Sequence, residues 1–353
     1  MQANPSAQPL ERPVPMNLLH PSVADWQSEL RHAITDPAQL LAALELPAEL
    51  LPGAQAADRL FGLMVPRPYL NRIRKGDPND PLLRQILPLQ QELLDVPGFG
   101  ADPLGEANAN PSPGLIHKYT DRVLLVLSGA CAINCRYCFR RHFPYGNNQL
   151  GGAAWQAALN YIHAHEQVHE VIFSGGDPLA TPDRRLARMI ADLEGIPHLQ
   201  RLRIHSRLPL VIPQRVTAEL VHMLAESRLD ATLVLHINHP QEMDDRVRTH
   251  LQPLRRAGVT LLNQAVLLKG VNDSLAVQKT LSESLFSDGI LPYYLFVLDA
   301  VAGAAHFDIS DDDARRLVGE LQTVLPGYLV PRLAREIPGK PSKTLLLPIA
   351  PEP

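Results

Sequence analysis

At 353 residues and 39.0 kDa, with a net charge of −4, the chain can hold two or three domains or one barrel with an extension, and its charge argues against a surface that tracks nucleic-acid phosphates. No stretch approaches the ~20 consecutive apolar residues of a membrane span, so no membrane partner is expected. The start, Met1 to Met16, is polar and proline-studded without an export signal, and the free cysteines point to a reducing compartment, the cytosol.

Residues 17 to 110 carry amphipathic helical runs, Ser22 to Thr35, Pro37 to Leu46, Ala57 to Met64 and Pro81 to Leu94, joined by Pro, Gly and Asp. A helical N-terminal extension over 1–110, packed as a cap, is the expectation, and by itself it carries no functional signal. Over 111–353 the grammar changes. Arg122 to Leu127 reads as a buried strand, Ala154 to His165 as a helix, and Glu170 to Phe173 as a second strand. Helix over Asp183 to Leu193 leads to a third strand, Arg201 to Ser206, and helix over Thr217 to Ser227 to a fourth, Ala231 to Asn238. Helix over Met243 to Ala257 precedes a fifth strand, Val259 to Leu268, and helix over Ser274 to Phe286 a sixth, Leu291 to Leu298. Strands spaced by helix-length segments argue for βαβ units and a parallel sheet. Six such units suit an α/β fold of the open kind, a partial (β/α)6 barrel, whose chemistry sits at the C-terminal strand ends.

The polar motifs fall at those ends. The first strand runs into Cys131-Ala-Ile-Asn-Cys135-Arg-Tyr-Cys138, which holds all three cysteines of the chain. A [4Fe–4S] cube usually takes four thiolates. Three leave one iron open to the amino and carboxylate groups of S-adenosyl-L-methionine (SAM), and one electron passed to the sulfonium releases a 5′-deoxyadenosyl radical, chemistry that the cofactor carries. Two plainer readings compete. A disulfide framework wants paired cysteines at separated positions. A Cys3His zinc site could recruit His142, four residues past Cys138, although structural zinc usually draws on two separated knuckles. The CxxxCxxC spacing, with aromatic Tyr137 before the last cysteine, resembles that of radical-SAM enzymes.

Ser174-Gly175-Gly176-Asp177-Pro178 follows the second strand, where two glycines let backbone approach a ligand. An ordinary β–α turn is the bland alternative; beside the cysteine loop, the string resembles the radical-SAM segment that holds the SAM amino group. Arg122, and Arg140 with Arg141, read either as surface or salt-bridged arginines or as partners for carboxylate and phosphate. Near the C-terminus, Leu333-Ala-Arg-Glu-Ile-Pro-Gly-Lys-Pro-Ser-Lys-Thr344 places Lys340 and Lys343 on a turn, which on its grammar alone would be two solvated lysines.

From Pro113 onward the chain resembles the lysine 2,3-aminomutase family of radical-SAM, pyridoxal 5'-phosphate (PLP) enzymes. The matching strings are His117 to Val123, Cys131 to Arg141, Phe173 to Leu179, His205-Ser-Arg-Leu-Pro with Ile212-Pro-Gln-Arg, Asn263 to Asp273, and Pro292-Tyr-Tyr-Leu with Asp299 and Ala305-His-Phe. Cys138 to Tyr145, Asp77 to Gln85, and Leu333-Ala-Arg-Glu with Pro341-Ser-Lys-Thr344 resemble the branch that makes (R)-β-lysine for elongation factor P.

The resemblance implies an isomerase. It implies Cys131, Cys135 and Cys138 as ligands of the iron–sulfur cluster, Ser174, Gly175, Gly176 and Asp177 facing SAM, and Gln264 near its adenosyl group. Arg122 would hold the PLP phosphate, Lys343 rather than Lys340 would carry PLP covalently, and Arg140 would grip the substrate carboxylate. Asp299 and Glu336 would bind the ε-ammonium of L-lysine, a charge-assisted contact; the longer mutases have Asp at the second position. The implied partners are free lysine, an electron donor such as flavodoxin or ferredoxin, and, functionally, a β-lysine ligase and elongation factor P. The intersubunit zinc of longer members is not expected, since Ser274 stands where they carry a cysteine and the chain ends ten residues after Lys343. The rival expectations are a metabolic aminomutase making β-lysine for other uses and a non-catalytic iron–sulfur protein.

Overall fold

Alternation within short strands builds the barrel. In the computed structural model, which describes residues 25–148 and 150–351, nine strands form one sheet in the order β1 to β9. They are β1 Leu115–Tyr119, β2 Arg122–Ser128, β3 Glu170–Gly175, β4 Arg201–Ser206, β5 Asp230–Leu235, β6 Thr260–Val266, β7 Leu291–Phe296, β8 Arg332–Arg335 and β9 Thr344–Leu345. Pairing is parallel from β2 to β8, and β1 and β9 add antiparallel at the two edges. The six expected strands are β2 to β7, the partial (β/α)6 barrel; β1, β8 and β9 are additions.

On β4, Leu202 and Ile204 are buried on the outer face while Arg203 and His205 line the interior. On β3, Val171 and Phe173 face outward and Glu170, Ile172 and Ser174 inward. This period of two follows from the pleat, which sends successive side chains to opposite faces. Closed parallel barrels fill their interior with layers of branched apolar side chains; here charged and polar residues such as Glu170, Arg203, His205 and Gln264 share those positions with Leu124, Ile172 and Leu262. They surround a cavity of about 600 Å³.

Helices Gly152–Ala164, Asp183–Glu194, Ala218–Ala225, Asp245–Arg256 and Leu275–Ser287 follow β2 to β6, close to their expected bounds. Three of them begin at side-chain caps. Thr217 accepts from Leu220 N, Asp244 from Val247 N and Ser274 from Val277 N, each satisfying a backbone donor that the first turn leaves free. A further helix, Asp311–Val324, follows β7 and is capped by Ser310.

The N-terminal helices are shorter than their hydrophobic patterns suggest. The run over Pro81 to Leu94 gives only Pro81–Arg84 and a 3-10 turn, Gln90–Leu93, because Pro88 lacks the donor and its ring clashes with the carbonyl of Arg84. The expected helix over Ala57 to Met64 instead spans Leu51–Asp58, with Pro52 in its first turn. There the Asp58 carboxylate accepts from Leu63 N and closes the following turn. The expected run from Ser22 begins as Trp26–Arg31, capped by Asp25; its first three residues and the stretch Met1 to Met16 lie outside the described residues. One continuous apolar core runs from Trp26, Leu40 and Leu82 into Leu125, Phe173 and Leu233 of the barrel. No helix among the described residues is long and apolar enough to cross a membrane.

Candidate active site

The loop after β2 carries Cys131, Cys135 and Cys138, and all three line the cavity. Burial, then Cys138, Asp177 and Cys135, pushes the Cys131 thiol well up; burial, then Cys135, raises Cys138 to about 11. Among the described residues no His, Cys, Asp or Glu trio converges on a single ion, and His142 is directed to Ala302 O at 3.3 Å. A Cys3His zinc site needs four ligands at one centre, and the His142 ring is turned to Ala302 O instead. A cube spreads its ligands over separate irons, so three cavity-facing sulfurs fit it.

The N-terminal segment grips this loop. Asn134 N donates to Met64 O at 3.2 Å, Asn134 Nδ2 to Gly62 O at 2.8 Å, and Arg136 N to Gln85 O at 2.9 Å. Arg136 donates to both oxygens of Glu92, at 2.8 and 2.6 Å, and Arg141 Nη2 adds a contact to Glu92 Oε2 at 2.8 Å. The salt-bridged reading of Arg141 is therefore what the structure shows. This segment, whose sequence by itself says nothing of function, braces the cysteine loop through these contacts.

Gly175, the last residue of β3, and Gly176 also permit a close approach of backbone to backbone. Gly175 has φ +126, and a Cβ there would lie 2.5 Å from Ser128 O; at Gly176 it would lie 2.6 Å from Ala130 O. Both absences let the β3 end press against the backbone at the end of β2 and the start of the cysteine loop, and both residues also line the cavity. Asp177 is buried, with Oδ1 accepting from Ser206 Oγ at 2.7 Å and Leu179 N at 3.0 Å, and Oδ2 from Arg207 N at 2.8 Å and Leu208 N at 2.9 Å. Its carboxylate thus ties the β3 loop to the β4 loop. Ser174 Oγ accepts from Arg140 Nη1 at 3.0 Å. Gln264 on β6 meets His236 at 2.9 Å on the cavity wall.

A run of alternating charges crosses the cavity. Arg140 holds Glu106 through Nε and Nη2, each at 2.7 Å. Lys118 Nζ stands 3.7 Å from Glu106 and donates to Glu336 Oε1 at 2.9 Å, and Lys343 Nζ is 3.6 Å from Glu336 Oε2. Arg140, expected to be free for a substrate carboxylate, thus has one edge engaged by an internal carboxylate, and Glu336, expected to pair with Asp299 toward an ammonium, already faces two lysines. Burial opposes the charge on Glu336, but Lys343 and Lys118 hold its carboxyl below the usual range. Asp299 differs: burial, then Glu336, pushes it up to about 7.

Lys343 sits in the cavity with its ammonium 5.5, 5.8 and 5.6 Å from the rings of Tyr119, Tyr294 and Phe296. Burial lowers its pKa against the opposing pull of Glu336. Lys340 is exposed and does not line the cavity. Arg122 lines it, stacked 4.3 Å from the centre of the Tyr119 ring and paired with Asp121. Glu106 and Lys118 escaped sequence reasoning. Lys118 lies inside the string His117 to Val123 without an assigned role, and Glu106 stands in the Asp102-Pro-Leu-Gly-Glu106 turn, which has no chemical signature of its own.

Residues 125–276 match the Radical SAM superfamily. The L-lysine 2,3-aminomutase of Escherichia coli (strain K12) is 54% identical over 328 residues, which is 92% of this chain and 95% of that protein. That of Haemophilus influenzae is 54% identical over 91% of this chain and 95% of its own length. The longer L-lysine 2,3-aminomutase of Clostridium subterminale is 36% identical over 92% of this chain and 78% of its own.

Proposed function

The chain belongs to the L-lysine 2,3-aminomutase family of radical-SAM isomerases, and from that premise we propose that it converts free L-lysine to (R)-β-lysine, with PLP held at Lys343 and the product destined for elongation factor P. The observation that carries this reading is that the cysteine loop, Lys343 and the carboxylates of Asp299 and Glu336 all face one cavity. A cluster carrier would need only the first of these. Strings of the elongation-factor branch, such as Cys138 to Tyr145, support the assignment of the product, and an external electron donor, a flavodoxin or ferredoxin, would feed the cluster.

Cys131, Cys135 and Cys138 would hold the cluster, Ser174, Gly175, Gly176, Asp177 and Gln264 would border SAM, and Arg122 would take the PLP phosphate. Bound there, the cluster and SAM would supply radical chemistry at the substrate β-carbon, and PLP would supply an aldehyde for its α-amine. The chain itself binds, orients and excludes water. The lowered pKa of Lys343 favours the neutral amine needed to join an aldehyde. Arg140 would grip the substrate carboxylate; its Nε–Nη2 edge is held by Glu106 and its Nη1 donates to Ser174 Oγ and Gly175 O, so the substrate would exchange for one of these contacts. Asp299 takes the ε-ammonium, which relieves the buried carboxylate of its neighbour's repulsion.

The decisive experiment is anaerobic loading with iron, sulfide and PLP, followed by chiral analysis of product from L-lysine with SAM and a reductant. Formation of (R)-β-lysine is expected, with about four irons per chain; a preference for glutamate, or zinc uptake without iron, overturns the reading. Elongation factor P from cells lacking the protein is expected to lack its β-lysyl mass. If it keeps that mass, the metabolic alternative stands.

Borohydride treatment of the PLP-loaded protein should fix the cofactor to Lys343. Lys343→Ala should lose the labelled peptide yet still take up iron, since the cysteines belong to other elements. Labelling at Lys340 would contradict the placement.

A further inference from the structure

The string His205-Ser-Arg-Leu-Pro at the end of β4 has no part in the reading above. Its Arg207 is buried, and its guanidinium reaches the cysteine loop, where Nη1 donates to Cys135 Sγ at 2.8 Å and to Tyr137 Oη at 2.7 Å. Nη2 turns the other way, to Gln85 Oε1 at 2.7 Å, Glu242 Oε2 at 3.0 Å and Tyr69 Oη at 3.2 Å. Tyr69, Gln85 and Glu242 are all buried, and Tyr69 and Gln85 come from the N-terminal segment. The backbone is held too, because Arg207 N donates to Asp177 Oδ2.

A guanidinium removed from water needs negative partners. Glu242 is one, and the sulfur of Cys135 stands where the second would be. Reducing a cluster adds one electron and no atom, so the reduced form is the more negative. A cation bonded to one of its sulfurs favours that form, and does so more strongly where water is excluded. The hydrogen bonds made by outer residues tune a metal centre through its ligands.

We propose that Arg207, held by Gln85, Tyr69 and Glu242, is a positioning residue that sets the reduction potential of the cluster through Cys135 Sγ. The proposal rests on Cys131, Cys135 and Cys138 being the cluster ligands, and it gives the N-terminal segment a share in the redox chemistry. The electron comes from an external one-electron reductant, and no bond is broken in that step.

The test uses the full chain loaded anaerobically with iron and sulfide, titrated with dithionite and redox mediators while the electron paramagnetic resonance signal of the reduced cluster is followed. Arg207→Gln is expected to move the midpoint to more negative potential. Gln85→Met, which frees one arm of the guanidinium without removing the cation, is expected to move it the same way by less. Because Arg207→Gln strands Glu242, the double variant Arg207→Gln/Glu242→Gln restores charge balance and serves if the single variant loses iron. If neither holds iron, the Gln85→Met value decides. Midpoints equal to or more positive than the parent's, in variants with parental iron content, overturn the proposal. A parent that takes up no iron overturns the ligand assignment instead.

Discussion

Asp299→Ala is expected to raise the lysine requirement by roughly two to three decades, taking a buried charge pair at ~3–5 kcal/mol and a decade at ~1.4 kcal/mol. The argument concerns which carboxylate is available. Glu336 is already compensated by Lys118 and Lys343, whereas Asp299 is pushed up to about 7 by burial and by Glu336 itself. An incoming ammonium favours the ionised form, so binding releases the proton that Asp299 holds in the empty cavity. Lysine affinity should therefore weaken as the pH falls below about 7, and Asp299→Asn should lose that component of the dependence. Equilibrium binding of lysine across pH checks both statements. The cluster and the Lys343 label should persist in each variant; an Asp299→Ala protein that binds lysine like the parent would remove the basis of the substrate assignment.

Glu92→Ala is expected to cost ~3–5 kcal/mol of folding stability, the usual effect of deleting one partner of a buried ion pair. Glu92 is fully buried beneath Arg136 and Arg141, whose side chains are 0% and 1% exposed, so its loss strands two guanidinia at once. Arg136 lies between Cys135 and Tyr137, which makes the cysteine loop the first element to move. Iron uptake should fall together with the urea midpoint, and Glu92→Gln, which keeps an acceptor but no charge, should fall between the two proteins. Parental iron content and parental midpoint in Glu92→Ala would show that the N-terminal grip on the loop is dispensable.

The legibility of the fold varied with the length of the repeating pattern. β2 to β7 each run for six or seven residues, enough for a β-branched or leucine-rich alternation to show. β9 is two residues long and β8 four, and such lengths hold no periodicity. Their place is set by pairing, as when Ala334 lies opposite Leu345. The helix expected at Ala57 failed for a local reason, since hydrophobic spacing continues past Asp58 although its side chain has already closed the turn.

The site divides in the same way. The three cysteines stand within one loop, so their spacing states the chemistry, and the resemblance of the surrounding strings supplied Lys343 and Asp299. Nothing in the sequence joined Glu106 to Arg140, 34 positions away, or Lys118 to Glu336, 218 positions away. The paired glycines, read as room for a ligand, line the cavity and also admit the backbone at the end of β2 and the start of the cysteine loop. By itself the sequence determined the parallel barrel and the chemistry of its cysteine loop, because strand alternation and ligand spacing are local patterns. Only the tertiary structure decided which charges neutralise one another inside the barrel and that the N-terminal segment braces the cysteine loop. Those pairings join residues far apart in the chain, and their strength comes from the exclusion of water once they meet.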